Sequence, residues 1–219
     1  MAEAGPAEIT ARALLDAGAF LIRPERPFRL TSGLLAPFYI NCRQILFHPA
    51  ARARIADAQA EAIRHALPDS GVEVIAGGVT AGVPFATLAA DRLALPLVYV
   101  RTEAKGHGTG AQIEGGDVAG RRVALVEDLI TTAGSILKFV AALRAADGEV
   151  ADVFVVFTRA GESARAALAE AGLRLHALCN LDTLLAVARK EGLASDAALA
   201  EIDAFLADAE TWSKKREAA

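Results

Sequence analysis

The sequence predicts an α/β fold, a Rossmann-like parallel sheet flanked by helices and carrying a small N-terminal hood. Three observations predict it. Apolar segments at 72–79, 97–101, 122–127, 153–158 and 173–178 read as core strands, and Val123 to Val126 lack the polar alternation of a strand with one wet face. Helical patterns lie between most of these strands, which implies parallel pairing through right-handed crossovers. The chain has 219 residues, enough for one domain with a substantial core and short of two. Ligands of such sheets sit outside the carboxyl ends of the strands.

The elements follow in order. A first helix is expected over about 7–17, stopped at Gly18, where a left-handed backbone suits a residue without a β-carbon. A loop with two prolines follows. Short strands at 28–30 and 38–41 flank Thr31-Ser32-Gly33, and a helix over 49–67 starts with Pro49 in its first turn. After the alternating strands and helices, one helix over 195 to about 215 closes the chain, with Trp212 as an anchoring aromatic. The whole of 1–219 is expected to be a single domain, residues 7–67 giving the hood and 195–219 the C-terminal helix.

Composition narrows the function classes. Hydrophobic residues make up 53% of the chain, yet no apolar run approaches the ~20 residues of a membrane span. The start, Met1 to Pro6, lacks the basic and apolar regions of a signal peptide. Cys42 and Cys179 have no metal-ligand spacing, so reduced thiols in the cytoplasm are expected. A formal charge of -4 argues against a broad nucleic-acid surface, and neither nucleic acid nor membrane is expected as a partner.

The stretch from Arg121 to Ser135 carries the chemistry. A buried strand ends in Glu127 and Asp128, Leu129 and Ile130 follow, and Thr131-Thr132-Ala133-Gly134-Ser135 turns into a helix with Ile136, Phe139, Val140 and Leu143 on one face. Unpaired N–H groups at a helix start suit a phosphate. Carboxylates accept hydrogen bonds from vicinal sugar hydroxyls and help hold a hydrated Mg2+. A P-loop is excluded because no Gly-Lys-Ser/Thr closes the turn, and a dinucleotide fingerprint because Gly-x-Gly-x-x-Gly is absent from it.

Three further segments bear on the site. In Phe28 to Arg43, the Ser32-Gly33 loop can offer backbone donors to a carboxylate or carbonyl, and Phe38 or Tyr39 can cover a ring face; the alternative is a hairpin whose aromatics are core. Arg101 to Gly110, running on to Gly115 and Gly116, is so rich in glycine that a mobile loop is expected, with Lys105, His107 and Arg101 closing over a diphosphate. Val79 to Pro84 is a small-residue turn after a buried strand, which lets backbone approach a ligand.

Four apolar residues, two acids, two apolar residues and Thr-Thr-Ala-Gly-Ser resemble the phosphoribosyl diphosphate (PRPP) motif of the type I phosphoribosyltransferases. Phe28 to Tyr39 resembles the Phe-x-Leu-x-Ser-Gly-x-x-Ser-Pro-x-Tyr segment of the orotate phosphoribosyltransferases, and Arg101 to His107 their Arg-Lys-x-x-Lys-x-His loop. The match runs from about Ile9 to Leu193, takes in Leu175 to Leu178, and keeps the family's order. Thr31, Ala81 and Thr102 stand where many members carry lysines, and Asn41 where an aspartate is common.

The resemblance implies the type I phosphoribosyltransferase fold and transfer of ribose 5-phosphate from PRPP to orotate, with Mg2+ as cofactor. Catalytic roles fall on Lys105, His107 and Asp128. PRPP is expected on Arg101, Lys105, His107 and residues 127–135, and orotate on Ser32, Gly33, Phe38, Tyr39, Thr131 and Arg159. Mg2+ is expected on PRPP itself, reaching Glu127 and Asp128 through water at most. A homodimer sharing loop 103–116 across its interface is also implied. The alternatives are a phosphoribosyltransferase for another base and a PRPP-sensing regulator without catalysis.

Overall fold

The computed structural model describes residues 5–30, 32–66, 71–103 and 111–217. Helix α1 (Pro6–Asp16) begins with proline in its first turn and buries Thr10, Ala13 and Leu14. It ends where Gly18, at φ +64°, lets the N–H groups of Gly18 and Ala19 turn back to the carbonyls of Leu15 and Leu14. Strands β1 (Phe20–Ile22), β2 (Phe28–Arg29), β3 (Leu35–Ala36) and β4 (Phe38–Ile40) follow, then a 3-10 turn (Cys42–Phe47) and α2 (Pro49–Ala66).

Pairing in this region differs from the simplest reading of the sequence. The strand at Phe28–Arg29 does not face 38–40; it pairs with Leu35–Ala36. Phe38–Ile40 pairs instead with Phe20–Ile22, a strand inside the segment expected to be loop. Across the β1–β4 pair Phe20 packs edge-on against Phe38 at 5.8 Å, and the turn closed by the Gly33 N–H on the Leu30 carbonyl sets Phe28 and Arg29 opposite Ala36 and Leu35.

The main sheet uses β5 (Val74–Gly78), β6 (Leu97–Val100), β7 (Ile113–Glu114), β8 (Arg122–Ile130), β9 (Glu149–Thr158) and β10 (Arg174–Asn180). Their order is β10-β9-β8-β5-β6-β7, parallel throughout except for β7 against β6. Helices α3 (Gly82–Leu93), α4 (Gly134–Ala145), α5 (Glu162–Glu170) and α6 (Leu181–Lys190) cover it. From β5 the chain steps to β6 on one side and later to β8 on the other, so the order reverses between β5 and β8. That reversal opens a crevice at the carboxyl ends of both strands.

Residues 123–126 and 153–157 are buried along their whole run, as the lack of alternation requires. Ala124, Val126, Phe154 and Val156 enter one core with α1, α2, α3 and the short strands; Val123, Leu125, Val153 and Val155 enter the other with α4 and α5. Helix α2 rests on β9, β10 and α3, so it belongs to the layer covering the sheet.

The chain closes with two helices, α7 (Asp196–Ala207) and α8 (Ala209–Glu217), where one was expected. The break is at Asp208, whose backbone leaves the helical region and whose carboxylate accepts the Thr211 N–H at 3.0 Å. An aspartate accepting from the first turn is a strong helix start, and it splits an otherwise continuous pattern. Trp212 is buried edge-on against Phe205 at 5.6 Å and donates its indole N–H to Glu201.

Candidate active site

Strand β8 runs three residues beyond the expected end at Glu127, because β9 keeps pairing with it through Leu129↔Phe157 and Ile130↔Thr158. The two acids therefore lie within the strand, on opposite faces of it. Glu127 follows Val123 and Leu125 toward α4 and is 8% exposed. Asp128 follows Ala124 and Val126 toward the 3-10 turn, where the Arg43 guanidinium favours its charged form. The backbone N–H of Asp128 donates to Glu127 Oε2 at 3.2 Å.

Glycines make room for Glu127. A β-carbon at Gly78 would overlap Glu127 Oε1 and the Phe139 ring, and one at Gly82 would fall 2.6 Å from the Val126 carbonyl and 2.7 Å from Glu127 Oε1. Burial, followed by the charge of Asp128, pushes the Glu127 carboxyl up to about 8. Burial raises Asp128 as well. Both acids thus hold protons more tightly than free carboxylates, and hydroxyl donors or a cation arriving beside them would draw those protons off.

Beyond Ile130 the chain bends through Thr131, Thr132 and Ala133 into α4. Ala133, already helical at φ −78°, precedes the helix, and no side chain caps it. Ala133 and Ile136 are buried and fix the turn, while Thr131, Thr132, Gly134 and Ser135 are exposed. A β-carbon at Gly134 would meet nothing within 4 Å. The open first turn of a 12-residue helix offers N–H groups and a dipole end that suit a phosphate dianion.

A cleft of about 270 Å³ joins this turn to the acids, to the Val79–Ala81 turn after β5 and to Thr102 after β6. It occupies the crevice where the strand order reverses, and the Val79-Thr80 peptide beside it is cis. Its described lining offers two carboxylates and the hydroxyls of Thr80, Thr102, Thr131, Thr132 and Ser135, with no lysine or arginine. Cationic help for a diphosphate must come from beyond these walls.

Lys105 and His107, the expected source, lie outside the described residues. Arg101 is held aside: its Nε meets Glu114 Oε1 at 3.0 Å, and the Tyr99 hydroxyl donates to Glu114 Oε2 at 2.8 Å. The period-two spacing of Tyr99 and Arg101 was the available signal for this clamp, but the two-residue strand carrying Glu114 sits in glycine-rich sequence and leaves no pattern. Arg29 is turned to the Gly33 carbonyl at 2.8 Å and to Glu217 at 3.0 Å. Arg43, by contrast, lies near Asp128. His176 stacks on Phe154 and pairs with Asp152 at 2.7 Å, among residues other than those lining the cleft.

On the base side, Ser32 and Gly33 form the exposed tip of the β2–β3 hairpin, with Gly33 at φ +89°. Tyr39 is 37% exposed and lies against Phe28 at 5.6 Å. Phe38 is a correction. It is fully buried, edge-on to Phe20 and Phe205, so the core alternative holds for it and its ring is not open to a base. What rests on Phe38 is Arg159, whose guanidinium carbon lies 4.8 Å from the ring centroid. The Arg159 backbone N–H is fixed to the Ile130 carbonyl at 2.8 Å, one residue before the phosphate turn. Burial alone pulls the Arg159 pKa below the usual arginine value, and its side chain has no hydrogen-bond or ion-pair partner among the described residues.

Residues 41–169 match the model of the phosphoribosyl transferase domain family. The chain is 43% identical over 217 residues to the orotate phosphoribosyltransferase of Cereibacter sphaeroides, covering 97% of this chain and 92% of that protein. It superposes on the crystal structure of orotate phosphoribosyltransferase from Aeropyrum pernix with a TM-score of 0.68 at 32% identity, covering 84% of this chain and 99% of that one. It also superposes on the orotate phosphoribosyltransferase of Mycobacterium tuberculosis in complex with PRPP, with a TM-score of 0.62 at 28% identity, covering 82% of this chain and 99% of that one. An acid-lined strand end and an uncapped helix at the switch point of a parallel sheet, together with relatives matched along nearly their whole length, place the chain in the orotate phosphoribosyltransferase family.

Proposed function

We propose that this protein transfers ribose 5-phosphate from PRPP to orotate, giving orotidine 5'-monophosphate and pyrophosphate in pyrimidine (UMP) synthesis. The observation that carries the choice of base is Arg159. A largely buried guanidinium without a carboxylate partner is costly, and an anionic ligand would relieve it. Its position one strand away from the phosphate turn suits the orotate carboxylate, with Ser32, Gly33 and Thr131 supplying polar contacts and Tyr39 an aromatic face.

As diphosphate leaves the anomeric carbon, positive charge builds on the ribose, comparable to the charge developed in glycosidases. Orotate attacks as an anion that has already lost its ring proton, so positioning and water exclusion outweigh general acid-base work. Residues 131–135 hold the 5'-phosphate at the start of α4, and Glu127 and Asp128 accept from the ribose hydroxyls. Lys105 and His107 cover the leaving diphosphate, with Asp128 and Arg43 near the reacting centre.

Two carboxylates beside a ring of hydroxyls are hard oxygen donors that suit a hydrated Mg2+. PRPP itself would supply most of the ligands of the ion, which would reach Glu127 and Asp128 through water. The ion would neutralise diphosphate charge as it departs. No helix among the described residues is long and apolar enough to cross a membrane. Free buried Cys42 and Cys179 suit a reducing cytoplasm. We assign a homodimer in which segment 103–116 serves the neighbouring site.

The test is a panel of bases incubated with PRPP and Mg2+. Orotate should be consumed, and adenine, hypoxanthine, guanine and uracil should not. Turnover of a purine without turnover of orotate would overturn the proposal.

A further inference from the structure

The helices α7 and α8 follow the last strand of the sheet, and none of their residues lines the acid-walled cleft. They nevertheless touch both halves of the base pocket. One connection is a chain of rings. Trp212 meets Phe205 at 5.6 Å and 87°, Phe205 meets Phe38 at 5.9 Å and 87°, and Phe38 carries Arg159 on its face at 4.8 Å. The far end is itself anchored, because Glu201 accepts from the Trp212 indole at 2.8 Å and from Arg216 at 2.6 Å. The other connection runs to the hairpin bearing Ser32 and Gly33. The Leu35 N–H donates to the buried Ser213 hydroxyl at 2.9 Å, and Glu217 pairs with Arg29, which also donates to the Gly33 carbonyl.

Arg159 needs such support. A guanidinium held by carboxylates is oriented by directional hydrogen bonds, whereas this one has only a ring face beneath it among the described residues. A cation attracted to a ring face follows the ring, so its position is no better defined than that of the ring itself. Phe38 is fixed from two sides by edge-on contacts with Phe20 and Phe205, and Phe205 is set by α7 and α8. Because close-packed interiors transmit strain, these contacts carry a displacement at Trp212 or Phe205 to the guanidinium.

We infer that α7 and α8 are part of the base-recognition device: Phe38 and Phe205 are positioning residues for Arg159, and Ser213 is one for the Ser32-Gly33 turn. The inference rests on the reading of Arg159 as the cation that meets orotate. It assigns to the C-terminal helices control over affinity for the base and none over the sugar phosphate, whose cradle they do not touch.

Steady-state kinetics with orotate and PRPP varied separately tests it, on Phe38→Leu, Phe205→Leu, Ser213→Ala and Arg159→Gln, with Ile63→Ala in α2 as a core variant that makes none of these ring or hairpin contacts. Loss of the ring support should raise KM for orotate about ten-fold, with KM for PRPP within about two-fold of the parent. Ser213→Ala, the mildest change, should shift the same constant in the same direction and keeps the test alive if a ring variant fails to fold. Ile63→Ala should lower Tm without separating the two KM values. If the ring and Ser213 variants move both KM values together, or behave as Ile63→Ala does, the helices are structural only and the inference falls. If Arg159→Gln raises KM for orotate while those variants leave it alone, the inference falls and the proposed function stands. If Arg159→Gln itself leaves KM for orotate unchanged, the reading of Arg159 is what fails.

Discussion

The proposed sugar-phosphate cradle takes its acids, hydroxyls and helix start from one uninterrupted stretch, Val123 to Ser135, whereas the proposed base pocket draws on Ser32, Gly33, Tyr39 and Arg159, with Phe38, Phe205 and Ser213 packed behind them. The cradle is made by a strand becoming a helix, and local hydrogen bonding sets most of its geometry. The base pocket exists only after segments far apart in the chain have packed. A site of the first kind tolerates little sequence change, because each position has a local geometric duty. One of the second kind can be rebuilt through its supports.

The largest effect should come from the cradle. Replacing both acids, Glu127→Gln with Asp128→Asn, removes two charge-assisted hydrogen bonds and should lower kcat/KM by about a hundred-fold or more while the fold persists. Mixed with Lys105→Ala protomers, this double variant should regain activity above either alone if the loop serves the neighbouring site. Measured subunit exchange without such rescue would confine Lys105 to its own subunit. A loss confined to KM for orotate would blur the division between cradle and pocket.

A smaller effect is expected from Gly78→Ala, which drives a methyl group into Glu127 and Phe139 and should cost about 1–3 kcal/mol of stability by denaturant unfolding. The same change at Gly134, where nothing lies within 4 Å, should be nearly silent for stability. Equal costs at the two glycines would mean that the floor of the cradle adapts freely.

The last effect is on pH dependence. Glu127 holds its proton up to about 8, far above a free glutamate, so between the ordinary glutamate pKa and about 8 the ligand-free folded state binds more protons than the unfolded chain. The contribution is fully present at low pH and is lost as pH rises toward about 8. Glu127→Gln should flatten the fall in Tm with pH and be the more stable protein at the alkaline end. Asp128, raised in the same sense, leaves part of the slope in place. An unchanged slope would assign that proton to another group.

How much of this could be read in the sequence follows from the same division. The cradle was legible because strand, acids, turn and helix succeed one another in order, and the apolar run at 123–126 announced a doubly covered strand. The end of that strand was not, since Leu129 and Ile130 continue it only because Phe157 and Thr158 lie alongside. In the base segment, the aromatics at 38 and 39 were equally plausible as core and as ring cover; alternation along β4 sends Phe38 inward and leaves Tyr39 half-exposed. The chain of rings from Trp212 to Arg159 has no periodicity at all. Nor does the Glu114 clamp on Arg101, which depends on a two-residue strand.

The fit of Glu127 between Gly78 and Gly82 bears on which sequences this site can reach by single steps. Three positions on two strands and a helix share one volume, so an exchange at either glycine is obstructed while the acid is present, and shortening the acid alone would leave a polar void beneath Phe139. Each intermediate is worse than both ends. Such a triad behaves as one inherited character, and its members should vary together or remain fixed together when the surrounding core drifts.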